Sequence, residues 1–204
     1  MSRDVRVWHH VILTGYGAWP DGDARGFRTR RHRQHVDGDY KNPPPAGKYA
    51  AREKHSRLTL KQSAVEFSSE WRPIVGTAVC DRLREFGCWV LCVAAARQHV
   101  HLLVKIPAAK VRAWIGRAKM HATFVMHEGG WQGKVWAVRC KVVRIRNRAH
   151  QMNTFYYICD HVEEGAWVGV WKDDVDRASD PGPAGPGLLG AHSPESPGPA
   201  GPGA

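Results

Sequence analysis

Two histidines and a pair of tyrosines have the types and spacing to do chemistry in this chain. His99 and His101 flank Val100 at the head of the apolar run His99-Val-His-Leu-Leu-Val-Lys105, and Tyr156-Tyr157-Ile158 follows about fifty residues later. A β-strand alternates its faces with a period of two, so both imidazoles leave one face while Val100 enters the core. Their Cα atoms then lie roughly 6.6 Å apart, close enough for ring nitrogens to share one divalent metal. A metal and a tyrosine hydroxyl are the parts needed to cut a phosphodiester by covalent attack. The chain holds 12 histidines, so a lone His-x-His is a weak signal. The apolar strand around the pair, the aliphatic residue inside it and the tyrosines after it strengthen the reading.

Such a site needs a strand for the histidines and a helix for the tyrosines. Cys88–Ala96 is an apolar strand that leads through Arg97-Gln98 into the His99 strand, forming an antiparallel hairpin. Val5–Thr14 and Val135–Arg146 have the β-branched content of two further strands. Leu58–Phe86 reads as helical. Ile74, Val75, Ala78, Val79, Leu83 and Phe86 make one apolar stripe, Pro73 suits a first turn and Gly87 a stop. Val111, Trp114, Ile115, Ala118, Ala122 and Val125 mark a second amphipathic helix, with Trp114 assigned to core packing, and Gly129-Gly130 ends it. Residues 149–164 form a third helix, which carries the tyrosines and stops at Gly165. The order β-α-β-β-α-β-α predicts an α+β fold on the ferredoxin-like split βαβ plan, an antiparallel sheet with an added C-terminal tyrosine-bearing helix.

The net charge of +11 points to a polyanionic partner, with nucleic acid as the default. The charge is concentrated. Residues 25–57 hold ten Lys or Arg against three acids, and Asn42-Pro-Pro-Pro45 breaks the stretch. It is therefore predicted to be an irregular, nucleic-acid-facing insertion, with Arg28, Arg30 and Arg31 as candidate DNA contacts. A second cluster, Arg139, Lys141, Arg144, Arg146 and Arg148, lies on and after the last predicted strand. Trp19, in the turn-rich segment Gly15–Asp23, is a candidate for base stacking. The five cysteines form no CxxC pair and read as reduced thiols of a cytoplasmic protein. No apolar run approaches the ~20 residues of a membrane span, and the first residues lack a signal-peptide core. Residues 1–177 are read as one domain. In residues 178–204 the repeated Pro-Gly-Pro-Ala-Gly-Pro-Gly predicts a disordered tail without chemistry.

The His-hydrophobic-His motif and the helical Tyr157-Ile158 make the chain resemble the single-tyrosine HUH transposases of bacterial insertion sequences, especially the REP-associated tyrosine transposases. His10-Val-Ile-Leu-Thr-Gly-Tyr-Gly-Ala-Trp-Pro-Asp-Gly-Asp-Ala-Arg-Gly-Phe27 is similar to the first strand and loop of one such subgroup, and Asp37-Gly-Asp-Tyr-Lys-Asn-Pro-Pro-Pro45 continues the likeness. Arg148-Ala-His-Gln-Met-Asn-Thr-Phe-Tyr-Tyr-Ile-Cys-Asp-His161 and Gly165-Ala-Trp167 fit the tyrosine helix and its exit. The likeness spans residues 5–170.

The resemblance implies a homodimer that cleaves and rejoins single-stranded DNA bearing a hairpin, with a Mg²⁺- or Mn²⁺-like ion. It carries His99 and His101 over as metal ligands and Tyr157 as the nucleophile. Where better-known members have a glutamine one turn after the tyrosine, this chain has His161, which would add a third nitrogen ligand or weaken the site. Positions i and i+4 of a helix face the same way about 6 Å apart, so Tyr157 and His161 can share a metal and a phosphate. Tyr156, with Asp160 at its own i+4, is the rival nucleophile. Imidazoles suit Zn²⁺ or Mn²⁺ better than the hard Mg²⁺, which leaves the ion open. Two other functions compete. One is a DNA- or RNA-binding module that has lost catalysis, and the other a metal-dependent hydrolase that uses water.

Overall fold

The alternation of β1 (Arg6–Gly15) between buried and half-buried residues marks a strand with two different faces. By contrast β2 (Trp89–Ala95) and β3 (His99–Pro107) are almost wholly buried, as expected of continuous apolar runs in the middle of a sheet. Together with β4 (Trp136–Arg144) and β5 (Trp167–Val170) they form a five-stranded sheet in the order β4-β1-β3-β2-β5, antiparallel throughout. This computed structural model describes residues 5–25, 27, 45 and 47–171. Arg28, Arg30 and Arg31, most of the basic insertion and the Pro/Gly-rich tail lie outside those residues.

Four helices complete the α+β fold: α1 (Ala50–Leu58), α2 (Trp71–Glu85), α3 (Val111–Glu128) and α4 (Arg148–Asp160). One sheet face, with Val11, Leu13, Val100, Leu102 and Val104, packs against Val75, Val79 and Leu83 of α2 and Ile115, Ala118, Ala122 and Met126 of α3. On the opposite face Leu91, Cys92, Ala94 and Leu103 meet Ile158 of α4, together with Ile145 and Ala166. Strand parity therefore puts Val100 and Leu102 under α2 and α3, and turns His99, His101 and Leu103 toward α4.

Helix α4 is fixed at both ends. Asn147 adopts an extended conformation and its side chain accepts the amide hydrogen of His150, an N-cap that satisfies one of the open donors of the first turn. After Asp160 the chain turns through Gly165, whose φ of 77° is unfavourable for residues with a Cβ, and enters β5. Strand β5 pairs with β2, and Trp167 lies against Gly76 of α2 so closely that a Cβ there would sit 2.5 Å from the indole.

Three expectations are corrected. Residues 50–58 of the insertion are helical. Helix α1 buries no residue and so has no apolar stripe to reveal it, but the Glu53–Arg57 pair at 2.7 Å supports it. The segment 58–86 is helical only from Trp71. Before it the backbone of Val65 and Phe67 bonds to Tyr16 and Arg97, which draws their side chains into the core from an irregular segment. Ile74 is 39% exposed, so the stripe on α2 is narrower than expected. Strand β5 was not anticipated, because four residues give too short a pattern to read.

Candidate metal and tyrosine site

His99 and His101 open β3, the first half-buried and the second 3% exposed. Ile158 anchors α4 on the sheet, which sets Tyr157 beside it and carries His161, the residue that caps the helix, over β3. One donor atom from each of His99, His101 and His161 lies within 4.8 Å of the others. The ring centroids of His101 and His161 are 4.6 Å apart, and those of His99 and His101 are 4.7 Å apart.

The donor set fits a divalent ion. Nε2 of His161 is buried and has no hydrogen-bond partner, while its Nδ1 faces the Glu164 carboxylate at 3.5 Å. A buried orphan nitrogen costs about 1–3 kcal/mol unless a metal or donor meets it. A carboxylate behind a ligating histidine is the usual outer support of such centres. Burial pushes His101 down to about 2, helped by His99, His161, His10 and Lys141, and burial followed by His161 also lowers His99. Both imidazoles are therefore neutral at pH 7, with lone pairs available for coordination.

Tyr157 sits 49% exposed at the rim. Its ring meets the edges of His161 at 4.8 Å and His101 at 5.5 Å between centroids. Tyr156 points elsewhere, stacking edge-on with Phe155 at 5.6 Å and 57% exposed, and Asp160 is exposed outside the three-histidine group.

The exposed cations of the second basic cluster divide around β4, an edge strand. Lys141 pairs with Ile12 and so shares the histidine face, where its charge disfavours protonation of His10 and His101. Arg139 has the same parity as Lys141. Arg144 pairs with His9, has the opposite parity, and lines a cleft of about 630 Å³ with Arg146, Asn147 and His150. Trp19 is 52% exposed under the Arg25 guanidinium at 4.3 Å, and Asp23 holds that guanidinium at 2.6 Å.

One residue of the site was not identified from the sequence. His10 Nε2 lies 2.9 Å from Nδ1 of His101, and the two rings stack at 5.1 Å. Its neighbour His9 has the opposite parity, since His10 pairs with Leu103 and His9 with Val104. The signal was present in the strand's period of two, because His10 alternates with the core residues Val11 and Leu13.

No protein-family model and no curated protein matches the chain. Among the described residues no helix is long and apolar enough to cross a membrane.

The histidines should make the metal-free protein acid-sensitive. Burial lowers His10 to about 4 and His101 to about 2, whereas both take up protons near pH 6.5 when unfolded. Their contribution to stability is complete above pH 6.5 and is lost as pH falls below it, by roughly 1 kcal/mol per pH unit for each group. Thermal melts in a chelating buffer should be flat from pH 8 to about 6.5 and then fall steeply toward pH 4. A curve level through that window would refute the buried, neutral histidines.

Proposed function

We propose that the chain is an HUH-type tyrosine nuclease and strand transferase that cleaves and rejoins single-stranded DNA, built on a ferredoxin-like sheet. The contact of the Tyr157 ring with His101 and His161 of the three-histidine group carries this reading. The strand order β4-β1-β3-β2 and the exposed cations along β4 support it.

His99, His101 and His161 would hold the ion. When bound, it supplies positive charge against the scissile phosphate, lowering the barrier for a phenol whose ordinary pKa is near 10. Of the two ions expected, Mn²⁺ suits an all-imidazole set better than Mg²⁺. Tyr157 Oη attacks phosphorus, forming the Tyr157 O–P bond as the P–O3′ bond breaks. The departing strand takes up the phenolic proton as its 3′-hydroxyl, and the 5′-phosphate stays on Tyr157. This ester conserves the energy of the broken linkage, so another 3′-hydroxyl can reverse the step and rejoin strands without a nucleotide cofactor. Lys141, on the same face, is suited to the phosphate backbone, and Trp19 to a base.

The test is incubation with a labelled hairpin-bearing single strand and Mn²⁺, followed by a denaturing gel. A covalent adduct that maps to Tyr157 is expected. Cleavage without an adduct would replace this reading with hydrolysis by water, and binding without cleavage would replace it with a binding module.

DNA binding should also weaken with salt in proportion to the phosphates engaged. Lys141→Gln should flatten the slope of log affinity against log salt by roughly 0.7, the value for one single-strand phosphate contact. Fluorescence anisotropy at several KCl concentrations measures it, and an unchanged slope would remove Lys141 from the DNA path.

A further inference from the structure

An imidazole that binds metal through one nitrogen must carry its proton on the other, and a partner for that proton fixes tautomer and ring orientation. His161 has such a partner in Glu164. Among the described residues no carboxylate pairs with His101; its Nδ1 meets Nε2 of His10 at 2.9 Å. His10 comes from the neighbouring strand, opposite Leu103 in the β1–β3 ladder, so the sheet holds both backbones in register.

We propose that His10 is a positioning residue of the metal centre, accepting a hydrogen bond from Nδ1–H of His101 and so presenting Nε2 of His101 to the ion. The inference rests on the metal-centre part of the proposed function and not on strand cleavage.

The geometry limits the alternatives. At 2.9 Å from a ring nitrogen of His101, Nε2 of His10 is committed to that contact and cannot ligate the same ion. For His10 to accept, its own proton must sit on Nδ1. A His10 protonated on both nitrogens would force His101 to accept at Nδ1 and move its proton to Nε2, which blocks coordination. The stacked contact of the two rings adds a steric restraint, holding His101 in one rotamer. The two outer partners, Glu164 and His10, thus serve ligands from two different elements, α4 and β3.

The test uses the whole chain, with Co²⁺ as a spectroscopic probe and Zn²⁺ in competition with a chelating dye. His10→Phe keeps the ring volume but removes the acceptor, and should weaken both affinities by about 10–100-fold and shift the Co²⁺ visible bands. His10→Gln places a carbonyl oxygen near the position of Nε2 and should recover most of the affinity. Long-range ¹H–¹⁵N spectra of the unsubstituted protein should show His101 protonated at Nδ1 and His10 protonated at Nδ1. That measurement stands even if His10→Phe does not fold. Wild-type affinity in His10→Phe, equal losses in the Phe and Gln variants, or the opposite tautomers would each overturn the proposal. A wild-type protein that binds neither metal would overturn it together with the metal centre itself.

Discussion

Tyr157→Phe should abolish covalent adduct formation and lower strand cleavage by at least about 10³-fold. The substitution removes one oxygen from a ring that is half exposed and leaves its contacts with His161 and His101 in place. Stability should therefore change by no more than about 0.5 kcal/mol. Metal affinity should also persist, since three imidazoles remain. This separates loss of the nucleophile from loss of the site. Tyr156→Phe should cleave as the unsubstituted protein does, because that ring lies against Phe155 away from the histidines. Peptide mapping of the adduct decides between them. An adduct on Tyr156 would mean that α4 turns during the reaction or that the assignment is wrong.

Changing His99 and His101 together to Ala should eliminate both metal binding and metal-dependent cleavage while the fold survives. The substitutions lie at the head of β3, before Leu102, Leu103, Val104 and Ile106, which are fully buried in the core. Isothermal titration with Mn²⁺ and Zn²⁺, beside a denaturing gel, measures both losses, and cleavage that survives in the double variant would move the metal elsewhere. His161→Gln is the informative companion. It exchanges a nitrogen donor for an oxygen donor at the same helical position, so Mg²⁺ should gain relative to Zn²⁺.

Much of the site was legible because it depends on local periodicity. The His99–Val100–His101 alternation needs only the period of a strand, and Tyr157 with His161 only the pitch of a helix. The hairpin through Arg97-Gln98 likewise follows from neighbouring residues, whereas the tyrosine helix expected to run to 164 ends at Asp160, with residues 161–165 forming the turn. What could not be read depends on register between distant strands. Whether His9 or His10 faces the centre is set by pairing with residues more than ninety positions later. Lys141 and Arg144 looked like one basic cluster, yet their ladder partners Ile12 and His9 turn them to opposite parities. Helix α1 escaped notice because it has no core to face, and β5 because pairing with β2 defines it more than its own composition does.

The tethering of α4 has a further consequence. Only residues 145–147 join β4 to the helix, and only residues 161–166 join the helix to β5. In this structure the histidines of β3 and the tyrosine of α4 therefore meet within one polypeptide. If DNA is cleaved at a centre assembled in this way, it needs no residue of a second copy, and the initial rate scales with the first power of protein concentration. Mixing the His99/His101→Ala protein with the Tyr157→Phe protein should then restore nothing. Recovered cleavage in that mixture would show that the helix crosses between molecules during turnover.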